Sequence, residues 1–304
     1  MTAINFDIEI ADEERRARLY AGQIFVYSPR PSMIEFVDFA RSCLEEAFAP
    51  YSPLDAQREL AVEQFVEIFA AHLPRFIHHP ESIRLIQQLI AEFGCDLDTT
   101  FVDVPRMRVQ TRDAYLTSGV GYTLHPHRDT WYSAPMTQIN WWSPLYPFEP
   151  DSAMAFYPQY WGRPVANGSD EFDLYDWNAH GRTQAAQQVA RDVRRQPRAE
   201  EQLELDHDFR VIVAPGGLIM FSGAHLHASV PNTSARTRFS VDFRTVDVGD
   251  VAARRGATNV DSRASGTTLY AHRRGTDLAP FPEEVARLED PSPPEGAILV
   301  YKPE

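Results

Sequence analysis

A chain of 304 residues that is 43% hydrophobic, 12% aromatic and 24% charged has a globular composition, which excludes the apolar-poor, charge-rich class of disordered chains. Its formal net charge of −14 runs along the whole chain, so a nucleic-acid backbone or an anionic membrane would meet repulsion and neither is an expected partner. Of the 29 basic residues only Lys302 is lysine, which leaves arginine to do any cationic work in the body of the chain.

The first residues, MTAINFDIEIADEERR, carry acids where a secretory signal would carry a basic stretch and then an apolar run. No later stretch approaches the roughly 18 uninterrupted apolar residues of a membrane span. A cytoplasmic location is the expectation, and Cys43 and Cys95, which lack CxxC spacing, are expected to be reduced, buried, small apolar side chains. After Pro31, with Ser32 as the expected cap, Phe36, Val37, Ala40, Cys43, Leu44 and Phe48 form a helical stripe that Pro50 stops. Val62, Phe65, Val66 and Phe69 predict a second helix, and Ile86, Leu89, Ile90 and Phe93 a third, opened by Pro80 and closed by Gly94. His78 and His79, just before Pro80, read as capping or surface residues.

From Thr100 the pattern changes to short β-like runs at 101–104, 106–110, 136–143, 153–157, 209–214, 218–221 and 237–246. Short strands in series predict an antiparallel sandwich or barrel. A polar stretch at about 161–208, with a predicted helix over 182–195, interrupts the series as an insertion or lid. The expectation is a single, mainly β domain: a helical N-terminal layer over 1–99, a double-sheet β barrel core over 100–246, and an extension over 247–304 that is irregular from Arg287. In 237–244, Arg238, Ser240, Asp242 and Arg244 share one face, and Phe239, Val241 and Phe243 share the other. The polar face is therefore expected to line the barrel and the aromatic face to meet the helices.

The sharpest chemical feature is His127-Arg128-Asp129, because residues two apart on extended backbone project to one side and can share a metal. One hundred residues after His127, the run PGGLIMFSGAHLHASVPN supplies His227 after a tight turn and an apolar strand. Two histidines and one carboxylate on one face leave the opposite coordination positions of Fe(II) open, as oxygen activation needs. His125 and His225 share the parity of the proposed ligands, but only His127 completes HxD. HRD also occurs in protein kinase catalytic loops, yet Ala134 stands where the loop Asn would be, and the chain has no DFG or Gly-rich loop. Trp131, Tyr132, Trp141 and Trp142 read as core rather than as a substrate platform.

HxD at 127–129, the PGG turn before an apolar strand, and H-x-S-x-P-N at 227–232 with a following Arg together resemble the Fe(II)/2-oxoglutarate-dependent dioxygenases, in particular the phytanoyl-CoA dioxygenase-like branch. The resemblance covers roughly residues 100–246 and implies a double-stranded β-helix, the jelly-roll or cupin-like barrel. It implies Fe(II) on His127, Asp129 and His227, 2-oxoglutarate chelating that metal, and O2 in the remaining position. Eleven positions after the distal His, where the family has an Arg for the far carboxylate of 2-oxoglutarate, stands Arg238. Arg236 and Arg244 share its parity. Gln138 and Asn140 share a face and are expected either on the cofactor or substrate or as a satisfied polar pair, and Ser229 joins the cofactor side through the H-x-S motif. The reaction implied is decarboxylation of 2-oxoglutarate to succinate and CO2 coupled to C–H oxidation of a small metabolite of the specialised biosynthetic kind. Hydroxylation is the default outcome, with desaturation or ring formation open to the same metal site. A carboxylate at 129 speaks against halogenation, which needs a small residue there. Two alternatives stay open: a metal-dependent cupin-type enzyme that does not use 2-oxoglutarate, and a non-catalytic small-molecule-binding barrel.

Overall fold

A computed structural model describes residues 3–113, 115–116, 118–121, 125–181, 196–292 and 298–302. The N-terminal third gives β1 (Ile4–Phe6), α1 (Asp12–Tyr20), β2 (Ile24–Tyr27), α2 (Pro31–Phe48), α3 (Val62–His78) and α4 (Pro80–Glu92). Pro31 is the first helical residue of α2 and Arg30 its cap, so Ser32 does not cap the helix; its backbone N–H donates instead to the Glu92 carboxylate at 2.9 Å. His79 does cap α4, its Nδ1 accepting from the Glu81 N–H at 3.1 Å. Both cysteines are unpaired and half-buried, less enclosed than expected.

The remaining strands are β3 (Thr100–Val102), β4 (Arg106–Gln110), β5 (Ile139–Pro144), β6 (Met154–Phe156), β7 (Phe209–Arg210), β8 (Leu218–Ser222), β9 (His227–Ser229), β10 (Arg238–Asp247) and β11 (Arg273–Arg274). Among the described residues they form two sheets and no closed barrel: a large one in the order β1-β2-β8-β5-β10-β3-β11, with β4 also paired to β10, and a small one in the order β7-β6-β9. The N-terminal segment is thus more than a helical layer, since Phe25 pairs with Met220 and inserts β2 beside β8. The run Ile-Phe-Val-Tyr of β2 is buried on every residue, and an apolar run without alternation carries no periodicity from which to read a strand. The strand expected from Met136 starts only at Ile139, because the Gln138 N–H closes a turn on the Pro135 carbonyl at 2.9 Å.

β10 is the spine of the large sheet, and its alternation divides the molecule. Phe239 meets Phe48 and Phe69 with ring centroids 6.2 and 5.9 Å apart, and Phe243 meets Phe36 at 6.4 Å. This face is sealed by α2 and α3, as the sequence predicts, and the opposite face carries Arg238, Ser240, Asp242 and Arg244 into a cavity. α5 (Leu174–Asp176) and a π-helical turn at Trp177–Gly181 stand at the far side of that cavity, whereas the helix expected over 182–195 lies outside the described residues. After β10, short helices at Val248–Ala252 and Glu283–Ala286 contribute to a cluster of Phe101, Val246, Leu269 and Phe281. Among the described residues no helix is long and apolar enough to cross a membrane.

Candidate metal centre

His127 and His227 are brought together by their own backbones. The His127 N–H donates to the His227 carbonyl and the His227 N–H to the His127 carbonyl, both at 3.0 Å. Residues that exchange both hydrogen bonds across an antiparallel pair put their side chains on the same face, and here the ring centroids lie 4.4 Å apart. Each Nδ1 faces the carbonyl two residues upstream, His125 O at 2.8 Å and His225 O at 2.9 Å. A carbonyl only accepts, so each Nδ1 carries a proton and Nε2 is the atom of each ring that is left to ligate a metal.

Asp129 completes the group by breaking the extended run. It begins a 3-10 turn, Asp129–Tyr132, and its N–H donates to the Gly223 carbonyl at 2.9 Å. Its Oδ1 lies 3.5 Å from His127 Nε2 and 3.9 Å from His227 Nε2, and one ligand atom from each of the three residues falls within 4.8 Å of the others. The other carboxylate oxygen, Oδ2, accepts from Asn140 Nδ2 at 2.5 Å and from Gln138 Nε2 at 3.1 Å. Gln138 Nε2 also donates to Asn140 Oδ1 at 3.1 Å. The two amides therefore aim the carboxylate. A Cβ at Gly223 would stand 3.2 Å from Gln138 Nε2 and 3.3 Å from Asp129 Cβ, so a side chain there would press on this trio. Gly223, in the SGAH segment just ahead of the ligand, packs against the site and was missed by sequence reasoning.

Burial works against the charge on Asp129, but the imidazoles and the Asn140 amide outweigh it and hold its carboxyl well below the usual carboxylate range. Burial, then His127, pushes His227 down to about 4, so this imidazole is neutral at neutral pH. Two imidazole nitrogens and a carboxylate oxygen thus converge on one side. That donor set suits a divalent transition metal. His225 points elsewhere: its buried ring lies on Trp161 with centroids 4.5 Å apart, and His125 is exposed, so neither joins the group.

The three candidate arginines separate by environment. Arg236 is exposed, and Arg244 is spent on Asp103 at 3.3 Å and Asp242 at 3.0 Å. Arg238 is buried over the Trp142 ring, 5.6 Å from its centroid, and donates from Nη1 to the Ser152 carbonyl at 2.9 Å. Among the described residues it has no carboxylate partner within salt-bridge distance, and its Nε, the Ser240 Oγ and the Gln110 Oε1 are buried without hydrogen-bond partners. Burial pushes Arg238 down to about 10, which still leaves it cationic at neutral pH. A cavity of about 480 Å³ joins these groups to His127, Asp129, Gln138, Asn140, Ser229 and His227. Trp131 and Trp141 are core, as expected, while Tyr132 and Trp142 line the cavity.

Arg128, between two candidate ligands, turns away from them. It is fully buried, pairs with Asp261 at 3.0 Å and donates to the carbonyls of Tyr160 and Arg163 at 2.8 and 2.9 Å. Asp261 also accepts from Trp131 Nε1 at 2.8 Å and from the Val165 N–H at 3.0 Å, so the segment after β10 clamps the loop that carries His127 and Asp129.

No protein-family model and no curated protein matches this chain. Among solved structures it is similar to the non-heme monooxygenase ThoJ in its apo form, at 15% identity over 82% of this chain and 85% of that one, with a TM-score of 0.40. It is also similar to SnoN, the non-heme alpha ketoglutarate dependent epimerase from nogalamycin biosynthesis, at 13% identity over 78% and 84% with a TM-score of 0.37. A third likeness is to EvdO2 from Micromonospora carbonacea var. aurantiaca, at 10% identity over 79% and 94% with a TM-score of 0.46.

Proposed function

We propose that this chain is a non-haem Fe(II)- and 2-oxoglutarate-dependent oxygenase on a double-stranded β-helix scaffold, oxidising, and by default hydroxylating, a C–H bond of a small-molecule metabolite. The observation that carries this reading is the reciprocal backbone pair of His127 and His227, which points two Nε2 atoms at the same side as Asp129 Oδ1. Two imidazoles and one carboxylate on one side suit Fe(II) with open positions for a chelating co-substrate and O2. Bound there, the iron with 2-oxoglutarate and O2 supplies the oxidising chemistry, in which the co-substrate is decarboxylated to succinate and CO2.

The chain's own residues do the positioning. His127 and His227 present Nε2 because their Nδ1–H groups are held by carbonyls, and Gln138 and Asn140 hold Asp129 Oδ2 so that Oδ1 faces the imidazoles. Gln138 and Asn140 serve the cofactor through Asp129, since their amide N–H groups are committed to it. Arg238, with Ser240 Oγ beside it on β10, receives the far carboxylate of 2-oxoglutarate. A buried guanidinium without a carboxylate costs several kcal/mol in solvation, and a dianionic co-substrate offsets that cost. This favours the 2-oxoglutarate reading over a cupin-type enzyme that does not use it. Ser229, two residues after His227 on β9, offers a hydroxyl on the same side of the cavity.

Anaerobic addition of 2-oxoglutarate to the Fe(II)-loaded protein tests the assignment without knowledge of the substrate. The expected result is a visible metal-to-cofactor charge-transfer band, followed by succinate once O2 is admitted. A protein that binds Fe(II) but develops neither would overturn the co-substrate assignment, and one that binds no divalent metal would overturn the centre itself.

A further inference from the structure

The same polar face of the large sheet carries a second group of charges that the metal chemistry leaves unused. On β4, Arg106 and Arg108 alternate with the core residues Met107 and Val109, and they stand opposite Asp242 and Ser240 of β10. Three guanidinium groups share two carboxylates: Arg106 pairs with Asp103 at 2.7 Å, Arg108 with Asp242 at 2.8 Å, and Arg244 with both. The wall therefore carries a positive excess inside a chain of net charge −14. Arg244 is enclosed, with 14% of its side chain exposed, whereas Arg106 and Arg108 are 25% and 41% exposed and so remain reachable. Both line the cavity, and no hydrogen bond among the described residues engages Arg106 Nε and Nη2 or Arg108 Nη1. The same cavity is also lined by apolar side chains, Phe172, Leu174 and Trp177 before and within the helical turns.

We infer that the substrate of this cavity is a small molecule with an apolar body and one anionic group, a carboxylate or a phosphate, which Arg106 and Arg108 receive. The inference rests on the oxygenase reading in one respect: Fe(II), Asp129, 2-oxoglutarate and Arg238 balance one another in charge, so the excess on β4 is left for the substrate. Arg106 lies four residues along β4 from Gln110, the partner of Arg238, or about 13 Å of strand. The substrate anion and the co-substrate carboxylate thus have separate seats. The guanidinium plane suits either anion through paired N–H donors.

Two dyes of one shape test this on the full chain: 8-anilinonaphthalene-1-sulfonate, which is anionic, and N-phenyl-1-naphthylamine, its neutral counterpart, titrated by fluorescence without metal or 2-oxoglutarate. The sulfonate is expected to bind about tenfold tighter or more, the scale of one charge-assisted hydrogen bond. Arg106→Gln with Arg108→Gln is expected to remove that preference and leave the neutral dye unchanged, which also reports an intact fold. Should the double variant fail to fold, Arg106→Gln alone, which keeps the Arg108–Asp242 pair, is expected to weaken the sulfonate severalfold. Equal affinities in the wild type would overturn the inference, as would loss of the preference in Arg238→Gln and not in the β4 variants. Displacement of the sulfonate by 1-naphthyl phosphate or 1-naphthaleneacetate, whichever is stronger, identifies the anion; equal displacement by 1-naphthaleneacetamide counts against any anion seat. A charge preference without the charge-transfer band would remove the oxygenase reading and keep the anion seat, and the reverse pair of results would remove this inference alone.

Discussion

The arginine at 238 is a buried charge and the carboxylate at 129 a partly buried one, and each makes its own demand on what binds beside it. For Arg238 the demand is geometric. Arg238→Lys keeps the charge but loses the planar fork, and a charge-assisted hydrogen bond of this type is worth about 1.5–3 kcal/mol, so 2-oxoglutarate affinity should fall by roughly one to two orders of magnitude. The anaerobic charge-transfer titration measures this directly, and Fe(II) affinity should change far less. Arg236→Lys, on an exposed residue, should leave both unchanged. For the metal ligands the demand is coordination: Asp129→Ala and His227→Ala should abolish iron-dependent succinate formation, whereas His225→Ala should retain metal binding because that ring lies against Trp161. Metal retention in the His227 variant with loss in the His225 variant would mean the wrong histidine of the pair. The HxD and H-x-S-x-P-N residues were legible as motifs, although Asp129 reaches the histidines through a 3-10 turn and not along an extended strand, and Gln138 and Asn140 were legible only as a pair with several possible partners. That they hold Asp129 depends on the turn at Asp129, which no local spacing encodes.

On the scale of elements, α3 and β10 show how packing sets both stability and its response to acid. Phe239 is fully buried between α2 and α3, so Phe239→Ala should cost about 3–5 kcal/mol of unfolding free energy, read from urea denaturation, through the cavity it leaves. His72 of α3 lies stacked on Phe76 with centroids 6.1 Å apart, and its Nε2 is buried without a partner. Burial, then Arg75, pushes its pKa down to about 4, so the folded chain keeps it neutral where the unfolded chain, near 6.5, takes up a proton. Its contribution to stability is therefore complete above about pH 6.5 and is lost as the pH falls from there toward 4. His72→Phe should shrink the drop in melting temperature between pH 7 and pH 4.5, and an unchanged drop would show that other groups carry it. The helices and the alternation of β10 were readable because 3.6- and 2-residue periods repeat along them. β2 was not, since a strand buried on both faces has no polar residue to mark its period.

Across the whole molecule, the Arg128–Asp261 pair ties the segment after β10 to the loop that carries two of the three candidate ligands. Both side chains are nearly inaccessible, at 2% and 4% exposure, so Asp261→Ala strands a buried guanidinium and should cost about 3–5 kcal/mol. The double variant Arg128→Met/Asp261→Leu should recover part of that loss but not all, because Trp131 Nε1 and the Val165 N–H would still lack their acceptor. Equal stability of the single and double variants in urea would show that the charge pair itself is not what the clamp rests on. The sequence by itself determined what depends on near neighbours: three amphipathic helices, the two faces of β10, and a histidine-carboxylate doublet with a second histidine far down the chain. Only the tertiary structure decided what depends on partners distant in sequence. It paired His127 with His227 through reciprocal backbone hydrogen bonds, neutralised Arg244 while leaving Arg238 without a carboxylate among the described residues, and recruited β2 from the N-terminal layer into the larger of two sheets. The physical reason is that backbone pairing and charge compensation are settled by which groups remain unsatisfied once the core has closed, and local spacing holds no record of that.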